Sequence, residues 1–267
     1  LQSGITAKIT GGKVNGRIRM TKGSCTMSGG EITGGVADNS EINYYGTNGG
    51  ALSIEGGNFT MSGGSIYNNT ASLNGGGVYV NGGTFIMNGG SIYSNESPNG
   101  GGVYVNSGDA TITGGNIGLN EKGNKASTGN GGGIYVAGGN VNITGGNVSS
   151  NQTLNGNGGG LYLQGGAFTM SSGNINNNSS INGAGAYIID TTFELTGGIF
   201  ENNIATKNGG GFFIGDNSNV SLSNGEVRNN KAQNGSGFYQ TEEENDSKTE
   251  LKGNCIVTNS EAINGNG

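Results

Sequence analysis

The feature that most constrains this chain is a repeat of 25 to 31 residues. In each copy an Asn is followed by a Gly-rich step and a short apolar strand. The repeated Asn residues are Asn48, Asn74, Asn99, Asn130, Asn157, Asn182, Asn208 and Asn234. A period of this length is typical of solenoids, in which a single repeat cannot bury its own apolar face and must stack on its neighbours.

Each repeat contains two further strands after the first. They are typified by Phe59-Thr60-Met61-Ser62 and by Gly63-Gly64-Ser65-Ile66. The position of Met61 is apolar in every repeat, and this column contains Ile9, Met27, Met61, Met87, Ile112, Ile143, Met170, Leu195, Leu222 and Leu251. Its ten members predict about ten coils.

Alternation of apolar and polar residues indicates half-buried strands and no helix. It predicts that Val78, Val80, Phe59, Met61 and Ile66 point inward. The sequence therefore predicts an all-β fold, a right-handed parallel β-helix with three short strands per coil. Residues 1–267 are expected to form one domain of this kind.

A column of Asn residues is expected to stabilise the stack. Each member lies three residues after an inward apolar residue, where its amide can bond its own turn and the amides above and below. The predicted ladder comprises Asn69, Asn95, Asn120, Asn151, Asn178, Asn203, Asn230 and Asn259.

Charge and hydropathy exclude two classes of partner. The net charge is −6, and the 12 Lys and Arg residues are scattered, which argues against nucleic acid. No stretch approaches the roughly 20 apolar residues of a membrane helix, so no membrane insertion by this segment is expected.

Two motifs resemble the repeats of a known family. Phe200-Glu-Asn-Asn203 and Asn48-Gly-Gly-Ala-Leu52 resemble the FxxN and GGA(I/L/V) repeats of polymorphic membrane proteins, which are autotransporter-type adhesins. The resemblance implies a pectin-lyase-like β-helix, secreted or exposed at the cell surface and used in adhesion. Most coils depart from it, with Ile or Val in the Phe position and Gly in the Ala position.

Right-handed β-helices also include polysaccharide lyases and glycoside hydrolases, whose chemistry requires acid–base groups. It has no His, and only one pair of Asp residues, Asp190 and Asp216, falls in equivalent positions of adjacent coils. The pair could serve a carbohydrate-active enzyme or share a calcium ion, or it could simply form corners. The corner interpretation is favoured, and no catalytic residue, metal site or cofactor is predicted.

An outward aromatic column is the strongest candidate for a binding surface. Its members are Tyr79, Tyr104, Tyr135, Tyr162, Tyr187, Phe213 and Tyr239. The rings could offer area to sugars or to a protein partner. Alternatively, they could stabilise one sheet face by packing within their own column.

Corners and chain ends supply the remaining expectations. Residues 34–47 and 121–130 are predicted to lengthen the same corner and to form contact loops on one edge, and residues 241–248 to form an acidic loop elsewhere. Cys25 and Cys255 are too far apart in the predicted stack to pair, with Cys255 placed in the Ser65 column. The sequence stops as another first strand would begin, which predicts a segment of a longer protein or end-to-end self-association.

These observations favour a non-catalytic extracellular or cell-surface protein, acting as an adhesin or a structural rod. Its expected partners are a cell-surface protein or a glycan. The alternative is a carbohydrate-active enzyme that uses Asp190 and Asp216.

Overall fold

A computed structural model describes residues 5–38, 46–241 and 247–262. Over these residues the chain is a parallel β-solenoid, as predicted. All strand pairs between turns are parallel, and each strand pairs with its equivalents in adjacent turns. None of the described residues belongs to a helix long and apolar enough to cross a bilayer.

Three faces carry most of the strands. The strands of the first face alone are Ile18–Met20, Leu52–Ile54, Ile134–Val136, Leu161–Gln164, Ala186–Ile189, Phe212–Ile214 and Phe238–Gln240. The strands of the second face alone are Thr6–Ile9, Ser24–Met27, Asn58–Met61, Asn140–Ile143, Ala167–Met170 and Thr192–Leu195. The strands of the third face alone are Lys13–Asn15, Glu31–Thr33, Ser65–Tyr67, Ser91–Tyr93, Asn116–Ile117, Asn147–Ser149, Asn174–Asn176 and Ile199–Glu201.

Some strands continue round a corner. Those that join the first and second faces are Val78–Met87 and Val103–Ile112. Those that join the second and third faces are Asn219–Arg228 and Lys248–Thr258.

A fourth set of short strands was not predicted. They form a separate parallel sheet that comprises Val36–Ala37, Thr70–Ala71, Glu96–Ser97, Lys125–Ala126, Gln152–Thr153, Ser179–Asn182, Ile204–Asn208, Lys231–Ala232 and Glu261–Ala262. Most are only two residues long and alternate one outward polar residue with one inward small residue. So short a segment has no periodicity from which a strand could be recognised.

The predicted inward residues form the core. Val78, Val80, Phe59, Met61 and Ile66 are all fully buried. The Met61 column is continuous in the strand register from Ile9 to Leu251.

The number of coils was slightly overestimated, because the stack has about eight turns. The first member of the Met61 column, Ile9, belongs to a turn for which only the second and third strands are described, Thr6–Ile9 and Lys13–Asn15. The last member, Leu251, follows residues 242–246, which lie outside the described part of the chain. Leu251 is 61% exposed, although its column is buried in the middle of the stack.

Glycine allows the turns to approach each other closely beside the fourth set of strands. A Cβ atom on Gly101 would lie 2.5 Å from the carbonyl carbon and oxygen of Lys125 and 2.6 Å from its nitrogen. These atoms belong to the backbone and cannot move aside as a side chain would. The spacing between turns therefore requires Gly at this position.

We expect Gly101→Ala to lower the free energy of unfolding by about 2–3 kcal/mol, since its methyl group would force two backbones apart. Gly215→Ala is the matched control, because a Cβ there meets its nearest atom, the Ile188 oxygen, at an ordinary 3.4 Å. We expect a change of less than about 0.5 kcal/mol for the control. Urea denaturation of both variants provides the measurement, and equal midpoints would contradict the steric argument.

Candidate functional site

The seven predicted aromatic residues form one column of stacked rings on the first face. Strand register places each ring opposite the next, from Tyr79 to Tyr239. Successive ring centroids are 5.7, 4.7, 4.6, 5.1, 4.4 and 5.2 Å apart, and the planes differ by no more than 31°. The column is therefore continuous over all seven turns that contribute to it.

Most of the ring area in this column is covered. Tyr79, Tyr104, Tyr135 and Tyr162 are only 8–9% exposed, and Ala137 packs against their cluster. Neighbouring rings occupy each other's faces, so a ligand could reach ring edges and hydroxyl groups but not the faces that sugars usually cover. This geometry supports packing within the column and restricts its use as a contact surface.

Glycines with positive φ bring the preceding backbone against the rings. Gly100, Gly131 and Gly158 have φ of 62°, 69° and 67°. A Cβ on each would lie 2.8 Å from the Cβ of the Tyr four residues later, on Tyr104, Tyr135 and Tyr162 respectively. The Gly-rich step of each repeat thus supports one side of the aromatic column.

Burial alters the acidity of the column. It raises the pKa of the Tyr162 hydroxyl to about 12, with smaller contributions from Tyr187 and Asp190. Burial also raises the pKa of Tyr79, Tyr104 and Tyr135. The Tyr135 hydroxyl additionally donates a hydrogen bond to Gln164 Oε1 at 2.8 Å.

We expect the folded protein to lose stability as pH rises from about 10 towards 12. A pKa raised above the unfolded value of about 10 means that the folded state binds protons more tightly than the unfolded state. The stabilisation is complete below the unfolded pKa and disappears as pH passes the folded pKa. Phenolate absorbance, recorded with circular dichroism during an alkaline titration, should show ionisation of the column only as the fold is lost. Ionisation near pH 10 with the fold intact would contradict the burial.

A ladder of fully buried Asn residues lies between the third face and the fourth set of strands. From Asn69 to Asn203 each Nδ2 group donates to the Oδ1 atom of the Asn in the next turn, as from Asn95 to Asn124 at 2.9 Å. The ladder comprises Asn69, Asn95, Asn124, Asn151, Asn178, Asn203 and Asn230. Six of the eight predicted members are confirmed.

The prediction was wrong at Asn120, which is exposed and has φ of 47°. The chain leaves the solenoid at residues 118–123, where Leu119 and Lys122 form an antiparallel bridge, and it returns with Asn124 in the ladder. The excursion therefore precedes the ladder residue instead of following it. The contact loop predicted at 121–130 begins earlier, and part of that range belongs to the strand Lys125–Ala126.

The prediction was also wrong at Asn259, which is exposed with φ of 50°. Register pairs Arg228 with Thr258 and Lys231 with Glu261, so Ser260 lies opposite Asn230. The last turn contains one extra residue, which also moves Cys255 from the predicted Ser65 column to a corner opposite Gly225. Both Cys25 and Cys255 are free thiols.

The two lengthened corners are separated by the fourth set of strands. The excursion at 118–123 precedes Lys125–Ala126, whereas the other insertion follows Val36–Ala37. Much of the predicted loop 34–47 lies outside the described residues, as do residues 242–246 of the predicted acidic loop. The prediction that both contact loops lie on one edge was wrong, because it did not include the strands that separate them.

Asp190 and Asp216 lie in adjacent turns, as predicted. The Asp190 backbone N–H donates to the Asp216 carbonyl oxygen at 2.9 Å, and Asp190 has φ of 49°. Asp190 Oδ1 accepts a hydrogen bond from Asn217 Nδ2 at 3.0 Å, and Asp216 Oδ1 accepts one from Thr241 Oγ1 at 3.1 Å. These contacts are those of corner residues, and within the described residues no three His, Cys, Asp or Glu side chains form a group suited to a metal ion.

Sequence reasoning missed a second Asn ladder. The Asn residues that mark the repeat bond from turn to turn through side-chain or backbone N–H groups, with Oδ1 as the acceptor. They comprise Asn48, Asn74, Asn99, Asn130, Asn157, Asn182, Asn208 and Asn234. Their regular spacing in the sequence marks the boundary of each repeat, but it does not show that their side chains bond to one another.

A third Asn column was missed as well. Asn116, Asn147 and Asn174 open third-face strands in consecutive turns, directly after a Gly-containing corner. The sequence signal is the recurrence of Gly-Asn-Ile or Gly-Asn-Val at these strands.

Comparison of the sequence with protein-family models and curated proteins, and of the fold with solved structures, finds no match. The functional interpretation therefore depends on the geometry of the chain and on the sequence motifs.

Proposed function

We propose that this chain is the non-catalytic rod of an extracellular or cell-surface adhesin similar to the polymorphic membrane proteins. The observation that carries the proposal is the unbroken contact from turn to turn, through seven stacked aromatic rings and two Asn ladders. Contacts of this kind stiffen an elongated scaffold. The repeat also places similar side chains on the outside of each turn. Such a scaffold suits simultaneous weak contacts with a cell-surface protein or glycan.

The contact surface follows from what the turns leave accessible. On the first face it consists of the edges and hydroxyl groups of the aromatic column. The excursion at 118–123 adds a local projection, with Asn120 and Glu121 exposed. Multivalent binding along these surfaces would not require a deep pocket.

Adhesion of coated beads tests the proposal. Beads carrying the purified chain should be retained on glycan-coated surfaces or on cultured cells, and soluble chain should compete for retention. Beads coated with heat-denatured chain are the control. Retention no greater than the control on both kinds of surface would overturn the proposal. Light scattering of the soluble chain separately tests whether copies associate with each other.

The alternative enzymatic function is tested on the Asp pair. We expect no release of reducing or unsaturated products from polysaccharides, including acidic ones. Product release that is lost in Asp190→Asn or Asp216→Asn would replace the adhesin proposal with a carbohydrate-active enzyme. Asp109→Asn, a substitution outside the pair, is the matched control for general effects of losing one carboxylate.

A further inference from the structure

An open groove follows the corner between the second and third faces. In the middle of the stack it has a volume of about 360 Å³, and its lining residues are Gly115, Asn116, Gly145, Gly146, Asn147, Ser172, Gly173 and Asn174. A separate depression on the same corner, about 480 Å³ in volume, lies nearer the start of the stack and includes Gly11, Gly12 and Gly30. The corner glycines thus form the floor of the groove.

The floor of the groove cannot carry side chains. Gly115 and Gly146 have φ of 87° and 83°, and a Cβ on either would lie within 2.8 Å of a backbone oxygen in the preceding turn. The fold itself therefore requires these glycines. The side chains that border the floor are not constrained in this way. Their chemistry therefore indicates which ligand the groove could bind.

Three carboxamides border the middle of the groove. Strand register places Asn116, Asn147 and Asn174 directly opposite one another in consecutive turns, about 4.8 Å apart per turn. Within the described residues these side chains make no hydrogen bonds, and Asn147 Oδ1 is buried without a donor. The members of the two Asn ladders, in contrast, bond to their neighbours in adjacent turns.

The amides of Asn116 and Asn174 are partly exposed and have no partner in the described part of the protein, so they can bond a ligand. The same carboxamides offer N–H groups as donors, so the row can both donate and accept. All eight lining residues in the middle of the groove are uncharged. Charge appears further along the corner, where Lys13 and Glu31 line the separate depression. The middle of the groove therefore suits an uncharged ligand with alternating donors and acceptors.

We propose that this groove binds an extended neutral glycan, with its chain parallel to the solenoid axis and its hydroxyl groups paired with Asn116, Asn147 and Asn174. A sugar hydroxyl is both a donor and an acceptor, which matches a primary amide. The row of amides runs along the axis, so it favours a linear chain over a compact ligand. This inference deepens the proposed adhesin function by assigning a site to its glycan partner.

Replacement of the three amides tests the site. The variant Asn116→Ser, Asn147→Ser, Asn174→Ser should fold normally, because Ser65 and Ser91 occupy the same column in earlier turns. The probes are neutral xylo-, cello- and manno-oligosaccharides and acidic oligogalacturonate, titrated by calorimetry. We expect at least one neutral probe to bind the wild-type chain and to bind the variant at least about tenfold more weakly.

A second variant serves as the control, because it also removes three amides but none of them borders the groove. Asn140→Thr, Asn142→Thr, Asn219→Thr removes three amides from the second face, where Thr60, Thr111 and Thr192 show that Thr fits the same columns. We expect this control to bind the neutral probe as the wild type does. Equal weakening in both variants, binding of the acidic probe alone, or no binding of any neutral probe would each overturn the groove assignment. Bead adhesion that persists without glycan binding would leave the adhesin proposal standing and assign contact to another surface.

Discussion

The triple variant Tyr104→Ser, Tyr135→Ser, Tyr162→Ser is expected to lose about 6–9 kcal/mol of stability. Burial of one aromatic side chain contributes about 1.5–3 kcal/mol, and favourable ring pairs add about 0.5–1.5 kcal/mol. Three adjacent rings, each at most 9% exposed, are removed together. A loss of this size approaches the whole stability of an ordinary domain. Thermal melts followed by circular dichroism provide the measurement.

Two controls separate packing from recognition. Tyr135→Phe keeps the ring and loses only the hydrogen bond to Gln164, so we expect a cost of about 1 kcal/mol. Tyr67→Ser with Tyr93→Ser removes a stacked pair from the third face, where both rings are only half-buried. We expect less destabilisation from that pair than from the triple variant. A triple variant that melts like the wild type but adheres poorly would show that these rings serve contact alone and contribute no packing energy.

Asn151→Ala is expected to lower the free energy of unfolding by about 3–6 kcal/mol. Asn151 Oδ1 accepts from the backbone N–H and from Nδ2 of Asn124 at 3.0 and 2.9 Å, and its Nδ2 donates to the Ile117 carbonyl at 2.8 Å. Alanine removes these three buried hydrogen bonds, at about 1–2 kcal/mol each. The Asn124 backbone N–H then has no acceptor, whereas Asn124 Nδ2 keeps its bond to the Ile92 carbonyl. Urea denaturation measures the loss, and hydrogen exchange should show it concentrated in the turns next to Asn151.

Asn120→Gly is the matched control for the ladder. Asn120 occupies a left-handed conformation in an exposed loop, which Gly adopts without strain. We expect a change within about 0.5 kcal/mol. If Asn120→Gly were as destabilising as Asn151→Ala, the assignment of Asn124 to the ladder in place of Asn120 would be wrong.

The core and the aromatic column were predictable from the sequence because both depend on alternation and on a period that is repeated many times. Met61 and Tyr79 are in their predicted columns because the residues around them pair in register with those of the adjacent turn. The inserted residues at 118–123 lengthen the segment between Ile117 and the ladder residue, so the usual spacing of three residues does not apply there. A rule based on distance along the chain cannot show on which side of a ladder residue an insertion falls, whereas hydrogen bonding of a buried amide requires Asn124 there.

The candidate groove was not predictable in the same way. The sequence shows that Asn147 follows a pair of glycines, but not whether its amide bonds to a neighbour. Asn151 and Asn157 lie only a few residues away and have bonded amides. The difference depends on the direction of each side chain and on the distance between turns, which three-dimensional packing alone determines.

The two Asn ladders have a consequence for the electrostatics of the rod. In the buried ladder each Oδ1 atom accepts from the Asn of the preceding turn, so the side-chain carbonyls point towards earlier turns, as from Asn178 to Asn151. In the ladder of repeat-marking residues each Oδ1 atom accepts from the following turn, so the side-chain carbonyls point towards later turns, as from Asn157 to Asn182. The amide dipoles of the two ladders therefore oppose each other along the axis, unlike the aligned peptide dipoles of an α-helix. The two ladders then offset each other's axial polarisation, so added turns extend both opposing rows together and not one aligned row of dipoles.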